Sequence, residues 1–203
     1  MDQTIFTIGH STHTAEEFLR LLLKREITAV CDVRSRPYSR LNLQFNREVL
    51  KSSLRSHGIA YVFLGKELGT QTTGPSCYQN GKVQYDRLAQ TNLFREGIQR
   101  VQEGMREYHV ALMCAEKEPL ECHRTILVAR HLAALGMDVK HIHPDGELET
   151  QADALDRLRR LLRLPEADLF RSYKEILADA YRAQEARIAY ESSSSAAIAG
   201  APF

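Results

Sequence analysis

HVALMCAEKEPLECHR, residues 109–124, is the stretch on which the reading of the fold turns. Its first part, residues 109–113, is a short apolar run of strand length. The run ends in a polar cluster, Cys114-Ala115-Glu116. Pro119 follows, where a first helical turn tolerates proline, and a helix is predicted to run on to Leu135, where Gly136 stops it. Strand, tight loop and helix in that order make one step of a parallel sheet covered by helices.

Working outward, the same step recurs. Residues 4–8 read as a first strand ending at Gly9-His10-Ser11. A helix from Thr14 to Arg25 follows, with Thr14 as N-cap, Glu17 completing a capping box, and Phe18, Leu19, Leu22 and Leu23 as its buried stripe. Residues 28–33 form a second strand ending in Asp32-Val33-Arg34. A helix over about 46–56, closed by Gly58, leads to a third strand at 59–64. The stretch 65–82 shows no period, and so long a connection marks a functional loop. Residues 85–107 are helical with a break near Asn92, and 138–143 form the last strand. The predicted class is α/β: three layers, α/β/α, around a mainly parallel five-stranded sheet spanning residues 1–150. Beyond Gln151, Leu155, Leu158, Leu161 and Leu162, then Tyr173, Ile176, Leu177 and Tyr181, recur at helical spacing on either side of Pro165. They predict a helical extension over 151–191 that packs on the core or joins two copies in a homodimer. The tail 192–203 carries too little apolar surface to offset chain entropy and is expected to be disordered.

Composition narrows the function classes. The 203 residues are 43% hydrophobic and 26% charged with net charge +1, so no global field argues for nucleic acid or membrane. The start, MDQTIFTIGHS, lacks the layout of a signal peptide, and no apolar run spans a bilayer. Four scattered cysteines do not make a secreted disulfide scaffold. The expected location is the cytoplasm.

In open α/β sheets ligands bind beyond the carboxyl ends of the strands. Three such ends carry polar clusters here, and their convergence suggests a pocket in which Asp32, Arg34, Glu116 and Arg124 reach a common guest. His10 and Ser11 offer a turn for an anion, against the plainer reading of a Gly-Ser turn with a surface histidine. Asp32 and Arg34 fall on the same side by alternation, so a mutual ion pair is the competing reading. Arg34, Arg36, Arg40, Arg47, Lys51 and Arg55 make a basic stretch. Arg47, Lys51 and Arg55 fit an exposed helix face, whereas Arg34 and Arg40 are read as phosphate ligands, with Tyr38 or Phe45 to stack on a base. For the 114–124 segment three uses are open. Cys122 is a nucleophile beside His123. Or Cys114, Cys122 and His123 bind a soft metal. Or Glu116 is acid or base while Arg124 and the helix end hold phosphate. The cysteine spacing is not the short C-x-x-C of zinc sites, so no metal and no cofactor is expected.

Read together, TIGHST (7–12), CDVRSRPYSRLNLQFN (31–46), YVFLGKELG (61–69) and ALMCAEKEPLECHR (111–124) resemble one family, the proteins grouped as domain of unknown function 488. The resemblance covers roughly residues 4–143 and implies a three-layer α/β domain. It carries His10, Ser11, Asp32, Arg34, Arg40, Phe45, Glu67, Cys114, Glu116, Cys122, His123 and Arg124 as motif positions. It implies no reaction, and the extension after residue 150 and the loop 69–82 lie outside it. The leading expectation is an enzyme for a phosphate-bearing substrate, a nucleotide or nucleic-acid base. Asp32 or Glu116 supplies the general base or acid, and Arg34, Arg40 and Arg124 hold phosphate. A cysteine-dependent or metal-site enzyme is the alternative, and a non-catalytic module binding nucleic acid or a phosphate ligand is the third.

Overall fold

The computed structural model describes residues 4–192. The tail expected to be disordered lies, from residue 193, outside the described residues. Six strands build the main sheet: β1 (Thr4–Gly9), β2 (Ala29–Asp32), β3 (Ala60–Phe63), β6 (Val110–Cys114), β7 (Asp138–Ile142) and β8 (Leu148–Thr150), in the order β3-β2-β6-β1-β7-β8. The first five run parallel, as expected. The sixth, β8, is a three-residue strand that folds back antiparallel on β7. It was missed because three residues are too short to show a period. The stretch 65–82 contains helix α3 (Gly65–Leu68) and a hairpin of β4 (Tyr78–Gln79) and β5 (Lys82–Val83).

Helices cover both faces, so the three-layer class stands. On one face, α1 (Ala15–Lys24) and α2 (Arg47–Ser56) bury Phe18, Leu22, Leu50 and Leu54 against Val30, Ala111, Met113 and Ile142. On the other, α4 (Tyr85–Ala89), α5 (Asn92–Gly104), α6 (Arg130–Ala134), α7 (Gln151–Leu161) and α8 (Tyr173–Ile188) pack on Ile5, Cys31, Leu112 and Cys114. The division follows the two-residue period of a strand: along β6, Val110, Leu112 and Cys114 face one layer and Ala111 and Met113 the other. The break near Asn92 is real, with Thr91 capping α5 through the Phe94 amide at 3.2 Å.

Local details differ from the expectation. Leu21, not Leu23, joins the buried stripe of α1, and Leu23 is exposed. The Thr14 hydroxyl caps the Glu17 amide at 3.1 Å, but the Glu17 carboxylate turns to His13 Nδ1, leaving half a capping box. Leu161 and Tyr173 are exposed, while Leu155, Leu158, Ile176 and Tyr181 are buried, Leu155, Leu158 and Tyr181 in the core shared with α4 to α6. Among the described residues no helix is long and apolar enough to cross a membrane.

Candidate functional site

The carboxyl ends of β2, β6 and β1 are immediate neighbours, as the fold reading requires. Their side chains nevertheless divide into two sets, because alternation sends Asp32 and Cys114 to opposite faces.

The first set is a closed network beneath α1 and α2. The Asp32 carboxylate is fully buried and accepts from Arg34 Nε at 2.9 Å, Nη2 at 2.6 Å, the Arg34 amide at 3.1 Å, and the Tyr61 hydroxyl at 2.8 Å. The guanidinium also donates to the Phe45 carbonyl at 2.9 Å and meets His10 Nε2 at 3.0 Å. His10 Nδ1 lies 3.0 Å from the Ser11 carbonyl, so that nitrogen carries the proton and Nε2 accepts from Arg34. Burial first, then the Arg34 charge, lowers the His10 pKa to about 4, so the ring is neutral near pH 7. It stacks on the buried Phe45 ring with centroids 4.3 Å apart. Asp32 is therefore the mutual ion pair that the same-side spacing allowed, with no lone pair left to act as a base. Phe45 has no free face for a nucleotide base. Ser11 lends its amide to the Ala115 carbonyl at 2.9 Å, tying loop to loop.

The second set lies on the other face. The loop after β6 closes through a short 3₁₀ turn at Pro119–Glu121, so the helix expected to begin at Pro119 is interrupted. It resumes with a π-type turn, Arg124–Ala129, that continues into α6. Cys122 is extended and sits at the cap of that helix, with the Arg124 amide 3.4 Å from its sulfur. The loop curls because Arg124, wholly buried, donates from Nη1 to the Glu116 carbonyl at 2.6 Å and from Nη2 to the Lys117 carbonyl at 3.4 Å. Gly9 lets the loop approach, since a Cβ there would stand 1.9 Å from the Glu116 carbonyl oxygen. Arg124 shapes the site from behind and does not face a ligand.

This curl brings Cys114, Glu116, Cys122 and His123 together, one ligand atom from each, all within 4.8 Å of one another. Glu116 Oε2 lies 2.9 Å from Cys114 Sγ and 3.0 Å from Cys122 Sγ, and His123 Nδ1 lies 3.7 and 4.0 Å from the same sulfurs. His123 Nε2 donates to the Val33 carbonyl at 3.0 Å, which aims Nδ1 at the cluster. A metal-binding histidine is oriented by such an outer hydrogen bond. Burial opposes a charge on Cys122, but the Cys114 hydrogen bond, the Arg124 charge and His123 outweigh it and hold this thiol well below a free cysteine. Burial and the neighbouring Cys122 push Cys114 the other way. Burial, then Cys122, raises the Glu116 carboxyl.

The cluster opens onto a cavity of about 280 Å³. Cys114, Glu116 and His123 line it together with Arg34, Arg36, Tyr85 and Tyr190. Arg40 is exposed and does not line it; Arg36 takes that place. Glu67 pairs with Arg100 instead. Sequence reasoning also missed Tyr85 and Tyr190. Arg36 carried a signal, since it belongs to the basic stretch; the two tyrosines reach the cavity from the start of α4 and from beyond the end of α8 and carried none. A separate apolar groove of about 500 Å³, between α6, α7 and α8, is lined by Ala133, Met137, Leu155 and Leu177 and holds no such cluster.

The family described as "Domain of unknown function DUF488" matches residues 14–131, more than half of the chain. The stretch includes every residue of the second set but not His10 or Ser11. No curated protein and no solved structure matches the chain.

Proposed function

The chain belongs to the domain of unknown function 488 family, and we propose that it is a metal-assisted hydrolase of small phosphate-bearing substrates. The observation that carries the proposal is the convergence of two cysteine sulfurs, an imidazole nitrogen and a carboxylate oxygen beside an open cavity. Thiolate and imidazole suit a borderline-soft divalent cation such as zinc, and three protein ligands leave a position for water in catalytic sites. Cys114, Cys122 and His123 are those three ligands. The low pKa direction of Cys122 fits a sulfur that binds as thiolate.

Glu116 is the fourth group of the cluster. It reaches the sulfurs from the cavity side and is otherwise exposed. A cation held by Cys114, Cys122 and His123 would supply Lewis-acid activation of water, and Glu116 would be placed to take a proton from the attacking water and return it to the leaving oxygen as the phosphorus–oxygen bond breaks. Arg36, which makes no ion pair among the described residues, faces the phosphate from the cavity lining.

The test is hydrolysis of chromogenic phosphomonoesters and phosphodiesters before chelation, after chelation, and after zinc add-back. Activity that disappears on chelation and returns with zinc is expected. Glu116→Gln should keep the metal and lose at least about a hundredfold in kcat. A second reading makes Cys122 a nucleophile, favoured by its depressed pKa. Cys122 is buried and Cys114 is the sulfur that lines the cavity, which ranks this reading behind. Activity unaffected by chelation would select it.

A further inference from the structure

The C-terminal extension lies beyond the family match, yet the structure clamps it to the site at several points. Gln184, buried on α8, donates to the Leu120 carbonyl at 2.8 Å, inside the loop that carries the cluster. Glu185 Oε1 accepts from the Tyr85 amide at 2.7 Å. Past the end of α8 the chain adds to the β4–β5 hairpin: the Val83 amide donates to the Tyr190 carbonyl at 3.0 Å, and the Ser192 amide to the Gly81 carbonyl at 2.8 Å. Lys82 pairs with Glu191 at 3.1 Å and donates to the Ala186 carbonyl at 2.8 Å. These ties seat Ile188 and Tyr190 on the cavity that Arg34 and Arg36 also line.

Tyr85 supplies the second observation. Its side chain is 1% exposed and lines the cavity. Its hydroxyl makes no hydrogen bond among the described residues and is not sealed from solvent, so it is free to donate to a guest in the cavity. It lies close enough to Cys114, Glu116 and Cys122 for their charges to act on it. The cavity lining thus combines the cluster with the Arg36 charge, the Tyr190 ring, the Ile188 side chain and the Tyr85 hydroxyl.

Resting on the hydrolase reading above, we infer that α8 and residues 188–192 are part of the site, and that the site takes a small phosphomonoester bearing a flat ring, of the size and chemistry of a nucleoside monophosphate. Tyr85 donates to a phosphate oxygen, Arg36 meets the phosphate charge, and Tyr190 with Ile188 encloses the ring. A cavity of about 280 Å³ is just below the usual range for small-molecule clefts, roughly 300–1,000 Å³, which suits a compact guest. Tyr85 is a catalytic residue in this scheme and Tyr190 a specificity residue.

The experiment is isothermal titration calorimetry of the full-length protein, zinc-loaded and metal-free, with 5′-AMP, inorganic phosphate and adenosine. AMP should bind at least about fivefold more tightly than phosphate, the worth of one stacked base at its lower end. Tyr190→Ala should erase that advantage while leaving phosphate binding unchanged, and Tyr190→Phe should restore it. Tyr85→Phe should weaken AMP and phosphate alike by about tenfold, the worth of a hydrogen bond to a charged group. Far-ultraviolet circular dichroism on each variant separates lost binding from lost fold. The inference is overturned if AMP binds no better than phosphate, or if Tyr190→Ala leaves their ratio intact. A protein that takes up no zinc yet binds AMP through Tyr190 would overturn the metal centre and uphold this inference. Zinc uptake without any AMP preference would do the reverse.

Discussion

Replacing Asp32 by alanine removes the acceptor on which the network beneath α1 and α2 is centred. The carboxylate takes three hydrogen bonds from Arg34 and one from Tyr61, and it has no solvent exposure. Its loss leaves the guanidinium of Arg34, a residue 5% exposed in the intact fold, with only His10 Nε2 and the Phe45 carbonyl as partners among the described residues. Breaking one side of a buried pair costs about 3–5 kcal/mol, mostly as the penalty of the stranded charge. At about 2–4 °C per kcal/mol for a chain of this length, the Tm should fall by roughly 6–20 °C. Thermal and urea unfolding followed by circular dichroism read this directly. Asp32→Ala combined with Arg34→Met should be less destabilised than the sum of the single variants by at least about 1 kcal/mol, since the second change removes the stranded charge. The folded Asp32→Ala protein should bind zinc as the parent does, because the cysteine cluster lies on the opposite face of the sheet. A Tm within about 2 °C of the parent would refute the reasoning and return Asp32 to the list of catalytic carboxylates.

Acid should destabilise the protein between pH 6.5 and 4. His141 has no exposure, with Thr7 Oγ1 at 2.8 Å from Nδ1 and Gln151 Oε1 at 2.9 Å from Nε2, and burial, then the Arg124 charge, lowers its pKa to about 4. His10 is lowered to about 4 as well. Both rings stay neutral in the fold while the unfolded chain takes up protons below pH 6.5, so stability is lost as pH falls through that window. At about 1.4 kcal/mol per pKa unit the loss is on the order of 3 kcal/mol for each ring. The urea midpoint should drop from pH 7 to pH 4.5; an unchanged midpoint, with both imidazoles titrating near 6.5 by NMR, would contradict this. Gly9→Ala should push the Glu116 carbonyl away from Arg124, since its Cβ would fall 1.9 Å from that oxygen. Zinc affinity should then drop about ten- to hundredfold, the worth of an outer partner of a metal ligand. Unaltered affinity would show that the loop does not depend on this close approach.

The layer architecture was legible because each strand is a short apolar run followed by an amphipathic helix. The meeting of three strand ends was legible too, from where those runs stop. Which side chains meet there was not. Alternation within a strand can be read from sequence, but the phase between strands depends on register, and here Asp32 pairs with Met113 rather than Cys114. One step of register separates a single mixed pocket from the two sets observed. Cysteine spacing hid the cluster for a related reason. Short-spacing rules describe side chains presented by one tight loop, whereas Cys114 ends a strand and Cys122 ends a 3₁₀ turn, and Arg124 draws the two together. Arg40 and Arg36 are equivalent in composition, and only the path of the loop decides that Arg36 reaches the cavity. The role of Tyr190 rests on a backbone pairing with Val83 from more than a hundred residues away, for which a local pattern has no term.

X-ray absorption at the zinc K-edge, on protein loaded to one equivalent, tests the account at its centre. The prediction is a first shell with two sulfurs at about 2.3 Å and one imidazole nitrogen near 2.0 Å, completed by one further oxygen, with one sulfur lost in Cys122→Ser. A shell made only of nitrogen and oxygen, or a protein that holds no zinc while both thiols remain reduced, would contradict it.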